Sequence, residues 1–262
     1  MKKKLYFGSN LKMYKNICDT ISYLKQLQNL TFDLNRLEYT IFIIPSFTSL
    51  HQASKDIDQD LIWLGAQNMC WAEQGQFTGE ISPLMLQELG MKIVELGHSE
   101  RRHVFGEDNQ LLQKKVTASL EHGFTTLLCI GENEQEKEFN ISNEILRIQL
   151  KTGLADIKEE QLSKLWIAYE PVWAIGVNGK PATAEYAQKK HSEIRTVLKE
   201  MFGNKGKEIP ILYGGSVNLQ NAEFLITQPD IDGLFVGRSA WNAEEFNRLI
   251  RTAINSYQKS YT

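Results

Sequence analysis

Eight short apolar runs recur along this chain, at residues 5–7, 39–44, 62–64, 93–96, 125–130, 166–169, 209–213 and 233–236. Between them lie longer stretches with apolar residues at helical spacing and charged residues opposite. These stretches cover 19–30, 109–122, 185–201, 218–226 and 243–257. In the first, Ile21, Leu24, Leu27 and Leu30 fall on one stripe. The apolar runs do not alternate strictly with polar residues, as expected of strands buried on both faces in a parallel sheet. Regular alternation of strand and helix argues an α/β class. Eight such units in 262 residues favour a closed (β/α)8 barrel over an open sheet. No linker or low-complexity tract interrupts the pattern, so residues 1–262 are expected to form a single domain.

Charge narrows the partners. The net charge is −3 at neutral pH, which excludes a global basic field for nucleic acid or acidic membrane surfaces. An anionic substrate therefore needs a local site. Lys2, Lys3 and Lys4 are not followed by an apolar segment, so neither a signal peptide nor a membrane span is expected. Cys18, Cys70 and Cys129 are odd in number and widely spaced, and form neither a disulfide framework nor a metal pair. A reduced cytoplasm fits them best.

In a (β/α)8 barrel the chemistry sits where strands end and loops begin. After the sixth run comes Glu170, which Pro171 restricts to extended backbone angles. Small residues follow, Ala174, Gly176 and Gly179, in a loop able to close over a carboxylate that takes a proton from carbon. After the first run, Asn10 and Lys12 stand two apart and are expected to share a side. Lys12 can then face a phosphate or a developing enediolate. After the fourth, His98 precedes Ser99 and Glu100 at the opening of a short helix. Positive partial charge there disfavours imidazolium, leaving a neutral hydrogen-bond donor. Gly214 and Gly215 after the seventh run, and Gly237 and Arg238 after the eighth, match the phosphate site common in such barrels. The acidic stretch 132–138 reads as a solvated helix start. His98, Glu100 and His103 do not share a helical face, so no metal site is expected.

Together these residues resemble the triosephosphate isomerase family, and the match runs through nearly the whole chain. It is carried by Leu-Gly-His-Ser-Glu-Arg-Arg at 96–102, Cys-Ile-Gly-Glu at 129–132, Ala-Tyr-Glu-Pro-Val-Trp-Ala-Ile-Gly at 168–176 and Tyr-Gly-Gly-Ser-Val-Asn at 213–218. Gly-Ala-Gln-Asn at 65–68 and Phe-Thr-Gly-Glu at 77–80 add to it. The resemblance implies a single-domain TIM barrel and an aldose–ketose phosphate isomerase with a place in glycolysis and gluconeogenesis. It makes Glu170 the base, neutral His98 the electrophile, Lys12 and Asn10 the groups facing the phosphate and the transition state, and Glu100 a buried supporting acid. Phosphate is expected at Asn10, Lys12, Gly176, Ser216, Gly237 and Arg238. The lid runs from Pro171 through Val172 and Trp173 to about residue 182, and Tyr213 and Ser216 latch it. No metal or organic cofactor is implied. The loop 67–82, with Thr78, implies a homodimer in which each copy reaches into the other. The expected partners are thus a small phosphorylated sugar and a second copy, without nucleic acid or membrane.

The chain departs from the family pattern at three places. Leu11 stands where the family has tryptophan. The lid reads Ile-Gly-Val-Asn-Gly-Lys-Pro-Ala-Thr at 175–183, one residue longer at its tip and stiffened by Pro181. Arg238 replaces the second glycine after the last strand. The base and electrophile motifs place isomerisation of dihydroxyacetone phosphate first. The altered lid and phosphate turn leave open an isomerase of a four-carbon ketose phosphate, such as erythrulose phosphate, in sugar-alcohol catabolism. From a different class, a non-catalytic sugar-phosphate-binding barrel also stays open. An aldolase on the same barrel needs a Schiff-base lysine, and Lys12 is the only strand-end candidate.

Overall fold

A computed structural model describes residues 3–176 and 179–260. Its strands are β1 (Leu5–Asn10), β2 (Tyr39–Ile44), β3 (Trp63–Ala66), β4 (Ile93–Leu96), β5 (Thr125–Ile130), β6 (Leu165–Tyr169), β7 (Ile211–Tyr213) and β8 (Gly233–Phe235). Each pairs in parallel with its neighbours, and β1 pairs with β8 to close a barrel of order β1 to β8. The helices are α1 (Ile17–Thr31), α2 (Phe47–Asp56), α3 (Pro83–Glu88), α4 (Ser99–His103) and α5 (Asn109–Glu121). They continue with α6 (Glu134–Glu138), α7 (Ser142–Gly153), α8 (Ala184–Phe202), α9 (Ala222–Ile226) and α10 (Ala243–Lys259). The protein is a TIM barrel, as its alternation of apolar runs and amphipathic stretches implies.

Several boundaries differ from the sequence reading for local reasons. β1 runs on to Asn10, which therefore ends the strand instead of following it. β7 starts at Ile211 because Pro210 has no N–H for the ladder, although its carbonyl still accepts from the Ile167 N–H. α9 begins only at Ala222, since Asn218 and Asn221 exchange side-chain bonds with each other's backbone in a tight turn. α7 escaped the periodicity reading, yet its Leu146 and Leu150, four apart, are buried.

Two apolar layers result. The outer one lies between strands and helices, with Leu24 and Leu27 of α1, Leu112 and Val116 of α5, and Leu249 and Ile250 of α10 fully or almost fully buried. Each such side chain contributes about 1.5–3 kcal/mol of burial. The inner one fills the barrel from alternate strand positions, including Phe42, Ile44, Ile93, Leu127, Cys129, Trp166, Ala168 and Phe235. Trp166 packs edge-on to Tyr6 at 4.5 Å and stacks on Trp63 at 5.6 Å. Gly8 admits the Phe42 ring, whose Cζ lies 2.0 Å from where a β-carbon at residue 8 would stand. Followed toward the strand C-termini, the same alternation turns polar. It ends at Asn10 on β1, Glu95 on β4, Cys129 on β5 and Glu170 just past β6. Strand period two thus gathers these groups under one rim.

Candidate active site

Glu170 leaves β6 with its N–H bound to the Ile130 carbonyl at 2.8 Å. Its side chain is only 5% exposed, and Oε2 has no hydrogen-bond partner among the described residues. That oxygen lies 3.8 Å from His98 Nε2. A buried carboxylate oxygen without a donor is free to accept a proton from a ligand in the cleft. Two glycines make the placement possible. A β-carbon at Gly131 would stand 2.0 Å from the Glu170 carbonyl oxygen, and one at Gly214 would stand 2.7 Å from Glu170 Cγ. The glycine pair after β7, expected to admit a ligand, thus also makes room for Glu170. Gly215 does the same for the Tyr213 hydroxyl, 2.2 Å from its absent β-carbon.

His98 caps α4, and its Nδ1 accepts the Glu100 N–H at 3.1 Å. With Nδ1 used as an acceptor, the ring carries its proton on Nε2, which points at Glu170. Lys12 lies across the cleft with φ of 51°, a left-handed conformation that costs a non-glycine residue about 1–3 kcal/mol. Three contacts hold it there. Its N–H donates to Asn10 Oδ1 at 2.6 Å, its carbonyl accepts from Gln67 Nε2 at 2.8 Å, and Nζ meets Glu100 Oε1 at 2.7 Å. Asn10 in turn donates to Glu95 Oε2 at 2.6 Å, and its carbonyl accepts from Trp241 Nε1 at 3.0 Å. Leu11, in the place of the family's tryptophan, is buried, while Trp241 pairs with the ring of Tyr14 at 4.4 Å.

One expectation fails here. Glu100 is not a buried acid, because its side chain is 49% exposed at the cleft mouth, in the first turn of α4, where it pairs with Lys12. The acid buried beneath the site is Glu95, which the sequence reading passed over. Its signal was a carboxylate inside the apolar run Ile-Val-Glu-Leu.

The cleft has a volume of about 440 Å³. It brings together Asn10, Lys12, His98, Glu100, Glu170, Gly176, Ser216, Gly237 and Arg238, all singled out from sequence. Arg238 is exposed on its rim, and the β7–α9 and β8–α10 turns form one side. Thr78 is elsewhere, exposed on the loop 67–82. Among the described residues no cluster of His, Cys, Asp and Glu is arranged to hold a metal.

The acidic stretch 132–138 was read as solvated, and for its first residue that is incorrect. Helix α6 does start with a capping box between Asn133 and Glu136. Glu132, however, is fully buried and accepts from Tyr169 Oη at 3.1 Å, Trp173 Nε1 at 3.0 Å and Tyr186 Oη at 2.8 Å. The Lys137 ammonium lies 3.3 Å above the Trp173 ring. Burial, with Glu132 beside it, pushes the Tyr186 phenol up to about 12. Glu132 thereby anchors the 3-10 turn Val172–Ala174 that follows Pro171, where the lid is expected to begin. Tyr213 is buried, and its hydroxyl faces the Ala182 backbone, where the expected lid would end. The longer lid tip, Val177 and Asn178, lies outside the described residues.

With this geometry in hand, comparison with known proteins is informative. The family model for triosephosphate isomerase matches residues 5–253. An L-erythrulose-1-phosphate isomerase of Rhizobium etli is 44% identical over 244 residues, covering 92% of this chain and 90% of that protein. One of Brucella abortus is 42% identical, covering 93% and 94%, and one of Mesorhizobium japonicum 41%, covering 94% and 96%. These relatives overturn the order of the two readings made from sequence. Dihydroxyacetone phosphate had been placed first, with a glycolytic and gluconeogenic role, because the base and electrophile motifs match. Those motifs fit either substrate, and relatives this similar carry the four-carbon name. The match over nearly all of the barrel leaves no doubt about kinship: the chain belongs to the triosephosphate isomerase family.

Proposed function

We propose that this protein is an isomerase of a four-carbon ketose phosphate, erythrulose 1-phosphate. One observation carries the reading: the unpartnered, buried Glu170 Oε2 opposite His98 Nε2, in a cleft walled on its far side by Lys12. The names of the relatives supply the substrate. In such a ketose the carbonyl is at C2, C1 bears the phosphate ester and C3 a hydroxyl. Enolisation toward C1 leads to no isomer, since that oxygen is esterified. Glu170 therefore takes the proton from C3. The C–H pair becomes the C2–C3 double bond, and the carbonyl pair moves onto oxygen, where His98 Nε2–H donates. His98 then moves the proton between the two enediol oxygens, and Glu170 returns its proton to C2. The carbonyl ends one carbon farther from the phosphate. Lys12 offsets the negative charge of the enediolate, with Asn10 beside it and Glu100 holding its ammonium. Backbone amides around Gly176, Ser216, Gly237 and Arg238 take the phosphate, and Arg238 adds charge at the rim. The lid from Pro171, Val172 and Trp173 excludes water, because an enediolate beside a phosphate ester expels phosphate when left open. Tyr213 latches it. No metal or organic cofactor enters this scheme.

The fourth carbon is a hydroxymethyl group on the carbon that gives up the proton. Its acceptance distinguishes this substrate from the three-carbon one. We expect kcat/KM for L-erythrulose 1-phosphate to exceed that for dihydroxyacetone phosphate by about tenfold or more. Equal or faster turnover of the three-carbon substrate sinks the reading.

A homodimer is also proposed. In the loop 67–82 residues 73–80 are exposed, and the loop is closed at its base by the Cys70 N–H to Ile81 carbonyl bond and braced by Trp71 edge-on to Phe77. A second groove of about 810 Å³ opens beside Lys12, with Met13 94% and Phe105 64% exposed. Such apolar exposure next to a catalytic lysine suits the same loop of a second copy. Sedimentation is expected to give a dimer, and Thr78→Arg to weaken it together with kcat. A fully active monomer at assay concentration removes this proposal. We also propose that residues 1–262 form one domain, since β1 pairs with β8 and Lys3 N–H reaches the Tyr257 hydroxyl of α10. Cytoplasmic location is proposed from the unpaired Cys18, Cys70 and Cys129. No helix among the described residues is long and apolar enough to cross a membrane, and the net charge gives nucleic acid no general footing.

A further inference from the structure

Glu95 takes no part in these proton transfers, yet it sits directly beneath them. It is the third residue of β4 and wholly inaccessible to solvent. Oε2 accepts the 2.6 Å bond from Asn10 Nδ2. The same Asn10 side chain holds the Lys12 N–H through Oδ1. That second bond fixes the left-handed turn and so aims the ammonium. On its other side Glu95 Oε1 lies 3.7 Å from Cys129 Sγ, and Cys129 also faces Glu170. One carboxyl group thus joins the lysine of one cleft wall to the base of the other.

Its surroundings decide its charge. Asn10 and Lys12 face it from β1 and the turn beyond, Glu100 from α4, Cys129 from β5 and Glu170 from the end of β6. Lys12 is the only cation among them, and its ammonium is engaged by Glu100. Asn10 offers one neutral donor. A buried carboxyl so weakly compensated, with a second carboxylate close by, keeps its proton. Burial first, and then the negative Glu170, hold it well above the usual carboxylate range.

We propose that Glu95 is a positioning residue for the isomerisation, a neutral buried acid that seats Asn10 and Lys12 and spares Glu170 and the enediolate a second negative charge. This rests on the isomerase reading of the site. As pH rises, ionisation of Glu95 places a charge under the anionic transition state, and kcat/KM falls. Glu95→Gln copies the neutral acid, whereas Glu95→Leu removes the acceptor that Asn10 uses.

The test measures kcat and KM on L-erythrulose 1-phosphate against pH for wild type and both variants, and melting temperature against pH for wild type and Glu95→Gln. Glu95→Leu is expected to lose about 10- to 100-fold in kcat/KM at neutral pH, as Lys12 shifts. Glu95→Gln is expected to recover that loss and to lack the wild-type fall at alkaline pH. The melting curves test the charge without using activity. A carboxyl whose proton affinity is raised by folding makes the native state bind the extra proton, so wild-type stability falls as pH rises through that window. The melting temperature of Glu95→Gln relative to wild type should therefore climb as pH rises above the usual carboxylate range. A Gln variant as impaired as the Leu variant, or a difference flat or falling with pH, overturns the proposal. If the Leu variant does not fold, the Gln variant decides through its two pH profiles. Should wild type ignore the substrate, the isomerase reading fails, and with it the positioning role, whatever the melting curves say of the charge.

Discussion

Glu170→Gln is expected to lower kcat by about 10³- to 10⁴-fold with little change in KM, the upper part of the range for losing a general base. The amide keeps the shape of the side chain, so the binding cleft survives while the proton acceptor is gone. Glu170→Asp tests position instead of chemistry. It withdraws the carboxylate by one methylene from a site where His98 Nε2 is 3.8 Å from Oε2. Misplacement of that order costs about 10²-fold. Solvent deuterium supplies the cleanest readout, since wild type should exchange the C3 proton of the ketose phosphate. Exchange at the wild-type rate by Glu170→Gln would show that the base lies elsewhere.

The second large effect is expected from a residue outside the lining of the cleft. Gly131→Ala puts a methyl group 2.0 Å from the Glu170 carbonyl oxygen, and Glu170 cannot retreat without breaking its bond to Ile130. Overpacking of this kind costs about 1–3 kcal/mol of stability. Because the displaced residue is the proposed base, kcat should also fall by about 10²-fold. Gly214→Ala separates the two effects. Its methyl meets the movable side chain at Cγ and Oε1, at 2.7 and 2.9 Å, so stability suffers less while the base is still pushed aside. Denaturant unfolding and kcat measured on both variants check this. Unchanged kcat in both would mean that these glycines do not set the position of the base.

Much of the architecture was legible in advance because it follows from local patterning. The eight apolar runs became eight parallel strands, and the stripe of Leu24 and Leu27 became the buried face of α1. Candidates such as Asn10, Lys12, His98 and Glu170 were found by asking what stands at strand ends, and the barrel brings them into one cleft. What stayed hidden depends on neighbours distant in sequence. Glu132 looked like the start of a solvated acidic run until Tyr169, Trp173 and Tyr186 closed around it. Glu100 was expected to be the buried acid and Glu95 was passed over, yet Glu100 sits on the first turn of a helix at the rim and Glu95 points into the barrel. The relatives reversed the order of the three-carbon and four-carbon readings, because the base and electrophile expected from sequence fit both reactions.

From its residues alone this chain determined a parallel barrel and the inventory of reactive groups at its rim. Hydrophobic periodicity and backbone restriction act over a few residues and need no partner. Only the folded barrel decided which acid is dry, which oxygen lacks a donor and which glycine yields space to the base. Those properties come from the desolvation and close contact that arise when the ends of β1, β4, β5 and β6 converge inside one closed barrel.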